Sequence, residues 1–157
     1  MNDCQLKRAK KIAYRMFAGK ARTEKQVRER LLQKGIPPEV TETVIRELLA
    51  LGYVDDRKFA QNYITWRLER KPLGPYRLRS ALLAAGVDRK LADEELAAVF
   101  TPELEEELAV RCLSRLPTGK EYDGRKLLGS LLNRGFSLRA AKHACKKLGV
   151  DWQDGNG

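Results

Sequence analysis

The sequence predicts an all-α protein of three tandem three-helix repeats in an extended, modular arrangement. Three observations carry that prediction. A helix-stop pattern occurs three times at intervals of 51 and 49 residues. Apolar residues recur at helical rather than alternating spacing. A helix-start signal follows each stop, and no segment alternates convincingly as a strand would.

The stops come first. Leu31-Leu32-Gln33-Lys34-Gly35 returns as Leu82-Leu83-Ala84-Ala85-Gly86 and again as Leu131-Leu132-Asn133-Arg134-Gly135. Four residues before each first leucine stand Val27, Leu78 and Leu127. Positions i, i+4 and i+5 make one apolar stripe on a helix. The glycine sits where the helix must end, because a left-handed residue after the C-cap carries no steric cost there. Ile36, Val87 and Phe136 follow, each able to fold back on the last turn. Next come Pro37, Asp88 and Ser137. Asp88 and Ser137 are good N-caps, and Pro38 suits the first helical position. The third helices are expected over 39–51, 89–99 and 138–148.

The remaining elements follow in order. Leu6, Ile12, Ala13, Met16 and Phe17 mark the first helix, and Thr23 with Gln26 forms a capping box for the second. Gly52 ends the third helix. Asp55 then caps the fourth, with Asp56 at its first position and Val54 and Phe59 spaced as a hydrophobic staple. Thr101-Pro102-Glu103 opens the seventh helix, whose stripe runs through Leu104, Leu108 and Cys112. The repeats are expected at 1–52, 53–100 and 101–150, with a polar tail at 151–157. The paired Asp55 and Asp56 thus read as helix punctuation. Consecutive residues do not share a helix face, so joint acid–base or metal chemistry is not expected of them.

The 157-residue chain carries a formal charge of +10 and a pI near 9.7, which points to a polyanionic partner. The charge follows the repeats. Residues 1–35 hold 11 Lys/Arg against 3 Asp/Glu, 57–90 hold 9 against 2, and 109–150 hold 10 against 2; residues 91–108 hold 7 acids and no base. Three scattered cysteines make no disulfide framework. No apolar run approaches a membrane span or a signal-peptide core, so a cytoplasmic monomer is expected.

Enzymatic motifs are missing. His143 and Cys145 are two residues apart on an expected helix and so point to different faces, and no CxxC accompanies them, which leaves no metal site. Thr118-Gly119-Lys120-Glu121 is a faint echo of a phosphate loop, but it lacks the earlier glycine and has Glu121 where the hydroxyl residue should stand. No cofactor is expected, and a binding protein is the favoured class.

The stretch Gly52-Tyr53-Val54-Asp55-Asp56-Arg57-Lys58-Phe59-Ala60 strongly resembles the signature of the RecX family of recombination regulators. The segment through Arg67, Gly74-Pro75-Tyr76-Arg77-Leu78, Leu82 and Gly86 is similar as well. The likeness covers nearly the whole chain, with its specific part at 48–90. The departures are Pro72, near which the family commonly has a basic residue and Gly, and Ala81, where it commonly has an acid.

The resemblance implies a protein that binds the RecA–single-stranded-DNA filament in its helical groove. It would limit filament growth and inhibit ATPase, strand exchange and coprotease activity. The candidate partner-binding residues are Arg28, Arg67, Arg70, Lys71, Arg77, Arg79, Arg125 and Lys126. Gly52, Tyr53, Asp55, Asp56, Phe59, Gly74, Pro75 and Gly86 are expected to be mainly structural. Two rival classes remain. One is a DNA-binding protein acting without RecA, nonspecifically or as a helix-turn-helix; against it, two of the three expected reading helices are acidic. The other is an adaptor for some other acidic partner. Weak binding to single-stranded DNA or to DNA backbone is expected in either case.

Overall fold

The structure, a computed structural model, describes residues 2–116 and 123–150. The phosphate-loop echo at 118–121 and the tail at 151–157 lie outside them. The described residues form helices and no strand. In order these are α1 (Asp3–Met16), α2 (Glu24–Gln33), α3 (Pro38–Ala50), α4 (Asp56–Arg70), α5 (Pro75–Ala85), α6 (Arg89–Val99), α7 (Pro102–Ser114), α8 (Gly124–Asn133) and α9 (Leu138–Lys147). Helices α3 and α9 each end one residue earlier than the sequence suggested.

The starts follow local chemistry. Thr23 and Gln26 make the full capping box on α2. Thr101, Asp123 and Ser137 each accept the N–H three residues on, at 2.9–3.2 Å. Asp55 does the same for α4, accepting from Lys58 N at 3.1 Å. Asp88 accepts from Lys90 N at the start of α6.

The stops share one bond pattern. At the end of α5, Gly86 N donates to Leu83 O and Val87 N to Leu82 O, both at 3.0 Å. That pair is the Schellman motif, which satisfies two orphan carbonyls of the last turn. The ends of α2 and α8 repeat it through Ile36 and Phe136, and the end of α3 does so through Gly52 and Tyr53. Ile36, Val87 and Phe136 are all buried.

One detail of the expected stripe is corrected. Val27, Leu78 and Leu127 are buried, as are Leu31, Leu82 and Leu131, but Leu32 and Leu132 are about two-fifths exposed and Leu83 is half-buried. An i+5 residue is rotated a further 100° from i+4, which carries it to the edge of a two-helix contact.

By its contacts the chain divides into two compact units, 1–62 with 82–92 and 63–81 with 93–157. Helices α4, α5 and α6 each contribute to both. In the first unit, α1, α2 and α3 pack round Ala9, Ala13, Val27, Leu31, Val44, Ile45 and Leu48. In the second, α7, α8 and α9 enclose Leu113, Leu127, Leu131 and Phe136. There α7 lies close against α9 because Ala109, Ala140, Ala141 and Ala144, all with no exposure, leave little side chain between the backbones.

Within each unit the C-terminal turn of one repeat's second helix meets the N-terminus of the preceding repeat's second helix. In the first unit Thr23 Oγ1 donates to Ala85 O at 2.6 Å. In the second, Gly74 N donates to Arg134 O at 2.8 Å and Tyr76 N to Gly135 O at 3.0 Å. These close contacts explain two glycines. A Cβ on Gly74 would sit 2.2 Å from the Gly135 carbonyl carbon, and one on Gly86 would sit 2.4 Å from Lys25 Cβ. Gly86 also holds φ at +102°, a conformation that L side chains rarely adopt.

Candidate functional site: basic faces of the two units

In the first unit Arg28 projects from α2 toward α3. Its Nε donates to Glu42 Oε1 at 2.7 Å and its Nη2 to Glu42 Oε2 at 3.1 Å, a bidentate fork; Nη1 is 3.5 Å from Glu24. The hydrogen bond from Arg28 lowers the Glu42 pKa, and the bond from Glu42 raises that of Arg28. Arg28 is therefore committed within the unit before any partner arrives.

The second unit holds the other candidates. Arg79 Nε donates to Asp93 at 2.7 Å, and that bond raises its pKa. Arg77, exposed, donates to Asn133 O at 3.3 Å. Arg67 and Arg70 share an exposed aromatic, Trp66. Their guanidinium carbons lie 5.5 and 4.6 Å from its ring centroid, within cation–π range, and Tyr63 lies 6.3 Å from it. Arg67 Nε is buried without a hydrogen-bond partner among the described residues. Lys71 is exposed just past α4. Arg125 and Lys126 are exposed on the first turn of α8. Of the eight expected cations, the structure thus gathers Arg67 and Arg70 on one ring and ties Arg28 and Arg79 to carboxylates.

The signature residues divide by role. Asp55 caps α4. Asp56 does more than favour the helix dipole: its Oδ1 accepts Glu24 N, the first N–H of α2, at 3.0 Å. Desolvation raises the Asp56 pKa despite that bond, because the carboxylate is half-buried in the first unit. Gly74 and Gly86 permit the seams already described, and Pro75 opens α5. Phe59 is half-buried. Tyr53 is half exposed, its ring 5.3 Å from that of Tyr14 and 5.8 Å from that of Phe17.

Two features were missed in the sequence. Trp66 escaped notice because a lone tryptophan carries no periodic signal, although it stands next to Arg67 and four residues before Arg70. The second is a groove of about 870 Å³ between α1 and α2, whose cations all lie outside the expected set. The +8 charge of residues 1–35 pointed to it, but the spacing along α1 was not used.

Cys112 and Cys145 are buried and free, with pKa values raised by desolvation. His143 Nε2 lies 3.8 Å from Glu106, while Cys145 lies in the core. No cluster of three potential metal ligands occurs among the described residues. No helix among them is long and apolar enough to cross a membrane.

The described residues form a helical-repeat protein with exposed cations on α4 and α8, and comparison with known proteins places that fold in a class of regulatory proteins. Residues 9–48 match the model of the first three-helix domain of RecX, and residues 55–96 that of the second. The chain belongs to the RecX family. The regulatory protein RecX of Chlorobaculum tepidum is 31% identical over 134 residues, covering 85% of this chain and 84% of that protein. That of Streptococcus gordonii is 32% identical over 151 residues, covering 94% of this chain and 58% of that protein. The chain likewise spans 58% of the RecX of Leuconostoc citreum, at 28% identity. The crystal structure of RecX from Lactobacillus salivarius superimposes with a TM-score of 0.84 at 22% identity, covering 94% of this chain and 99% of that one.

Proposed function

We propose that the chain binds the RecA–single-stranded-DNA filament and restrains it, limiting growth, ATP hydrolysis, strand exchange and coprotease activity. It would act in the cytoplasm as a monomer and without catalysis of its own. Membership of the RecX family is the observation that carries this reading. The charge distribution supports it: the exposed cations on α4 and α8 suit acidic protein surface and phosphate. Several weak contacts joined in one chain gain by effective concentration, which suits a repeat protein on a repeating filament. We assign three repeats, 1–52, 53–100 and 101–150, to successive contacts.

The Trp66–Arg67–Arg70 cluster is the leading contact, because aromatic and arginine anchors dominate protein interfaces. Arg28 and Arg79 rank lower, since a partner would first have to displace Glu42 or Asp93. The test is binding to preformed RecA filaments on a labelled oligonucleotide. Trp66→Ala with Arg70→Ala should weaken binding by about tenfold or more with helical content unchanged. Arg79→Ala should weaken it less. Unchanged binding of the double variant would remove this face from the interface, and failure of the wild-type chain to bind any filament would refute the function.

A further inference from the structure

We propose that the groove between α1 and α2 is a binding site for the phosphodiester backbone of single-stranded nucleic acid. Six cations line it: Arg8, Lys11, Arg15, Arg22, Arg30 and Lys34. The only acid in its lining is Glu29, which lies 3.9 Å from Lys25 on its own helix. Several cations elsewhere in the described residues are paired with carboxylates, as in Lys10–Glu47, Arg28–Glu42, Arg79–Asp93 and Arg139–Glu106. None of the six groove cations pairs with a carboxylate of the described residues. Such a concentration of like charge repels itself and is relieved by a polyanion.

The geometry is specific at both ends. Arg22 Nε donates to Met16 O at 3.2 Å, which fixes one guanidinium where α1 ends and α2 begins. Arg8 Nη2 donates to Lys34 O at 2.9 Å, which fixes another at the far end of α2. Each uses one of five donors and leaves the others for a ligand. From residue 8 to residue 16 the wall is about 12 Å long at 1.5 Å per residue. That is about three to four phosphates at the 3.4 Å per nucleotide of a stacked strand. Lys11 and Arg15 stand along one wall and Arg30 on the other.

The shape selects the class of ligand. Packed helices lie about 8–10 Å axis to axis, so the furrow between them takes one backbone, whereas a duplex meets only its rims. The lining also holds Ile12, Met16, Gln26 and Gln33. A polar, strongly positive groove is the character of a nucleic-acid interface.

This site is independent of the RecA reading, and its test contains no RecA. Fluorescence anisotropy of labelled dT20 is measured with the whole chain, after circular dichroism has established equal helicity. The groove triple is Lys11→Gln, Arg15→Gln, Arg30→Gln. The control triple, Lys90→Gln, Lys146→Gln, Lys147→Gln, removes the same charge from exposed positions elsewhere. The groove triple should weaken dT20 binding at least about tenfold and flatten the salt dependence by about 2 in log–log slope, at 0.7 per phosphate. The control triple should stay within about twofold of wild type, and Lys11→Arg, Arg15→Lys, Arg30→Lys should bind as wild type does. Equal losses in both triples, or no binding of dT20 at all, would overturn the proposal. So would a 20-base-pair duplex that binds as tightly as dT20, or displacement by polyglutamate as readily as by unlabelled dT20.

Discussion

Asp55 and Asp56 are neighbours with different work, and the difference is measurable. Asp55 is exposed and accepts one N–H of its own helix, so Asp55→Ala should cost about 0.5–2 kcal/mol while Asp55→Asn costs little. Urea titration would separate the two. Asp56 accepts the first N–H of α2 and is desolvated, which raises its pKa in the folded state. A raised carboxyl pKa means that the folded protein holds this proton more firmly than the unfolded chain does. The group's contribution is then most favourable below the unfolded value near 3.8 and declines as pH rises through the folded one. Asp56→Asn keeps an acceptor and removes the buried charge. Its melting temperature relative to wild type should therefore rise between pH 3 and pH 7; a relative fall over that range would contradict the assignment. The capping role of Asp55 was legible in the sequence. The reach of Asp56 to another helix was not, because that bond joins residues 32 apart in sequence.

Helices and their ends were the most legible scale. The stops of α2, α5 and α8 each combine a glycine, a buried apolar clasp and a start residue, and these agree locally without help from tertiary structure. The seams between second helices were not legible, since they join residues far apart in sequence, Thr23 to Ala85 and Gly74 to Arg134. They make a contrast between two glycines, Gly74 and Gly129. Gly74→Ala would push a Cβ into the Gly135 backbone, which cannot swing aside as a side chain would. It should cost about 1–3 kcal/mol or more. Gly129 lies within α8 with nothing within 4 Å of an added Cβ. Gly129→Ala should stabilise by about 0.5–1 kcal/mol through helix propensity. Thermal melts of the two variants should move in opposite directions, and parallel shifts would show that the seam imposes no close approach.

At the scale of the whole molecule, charge counts along the chain identified where cations concentrate but not which of them stay available. Arg28 and Arg79 were expected to meet a partner, yet both are held by carboxylates 14 residues further along the chain. Lys11, Arg15 and Arg30 were left out of the expected set, yet line an uncompensated groove. Pairing depends on which helix faces which, and composition does not encode that. The surface is therefore uneven, and under the proposed function a few exposed cations and Trp66 would contact the partner. Its central claim is restraint of the RecA filament. The direct measurement is ATP hydrolysis by RecA on single-stranded DNA, with this protein added well below one molecule per RecA protomer. The account predicts that hydrolysis falls progressively and that the Trp66→Ala, Arg70→Ala variant requires a several-fold higher concentration for the same effect. Hydrolysis that continues undiminished up to equimolar protein, with the chain folded, would contradict it.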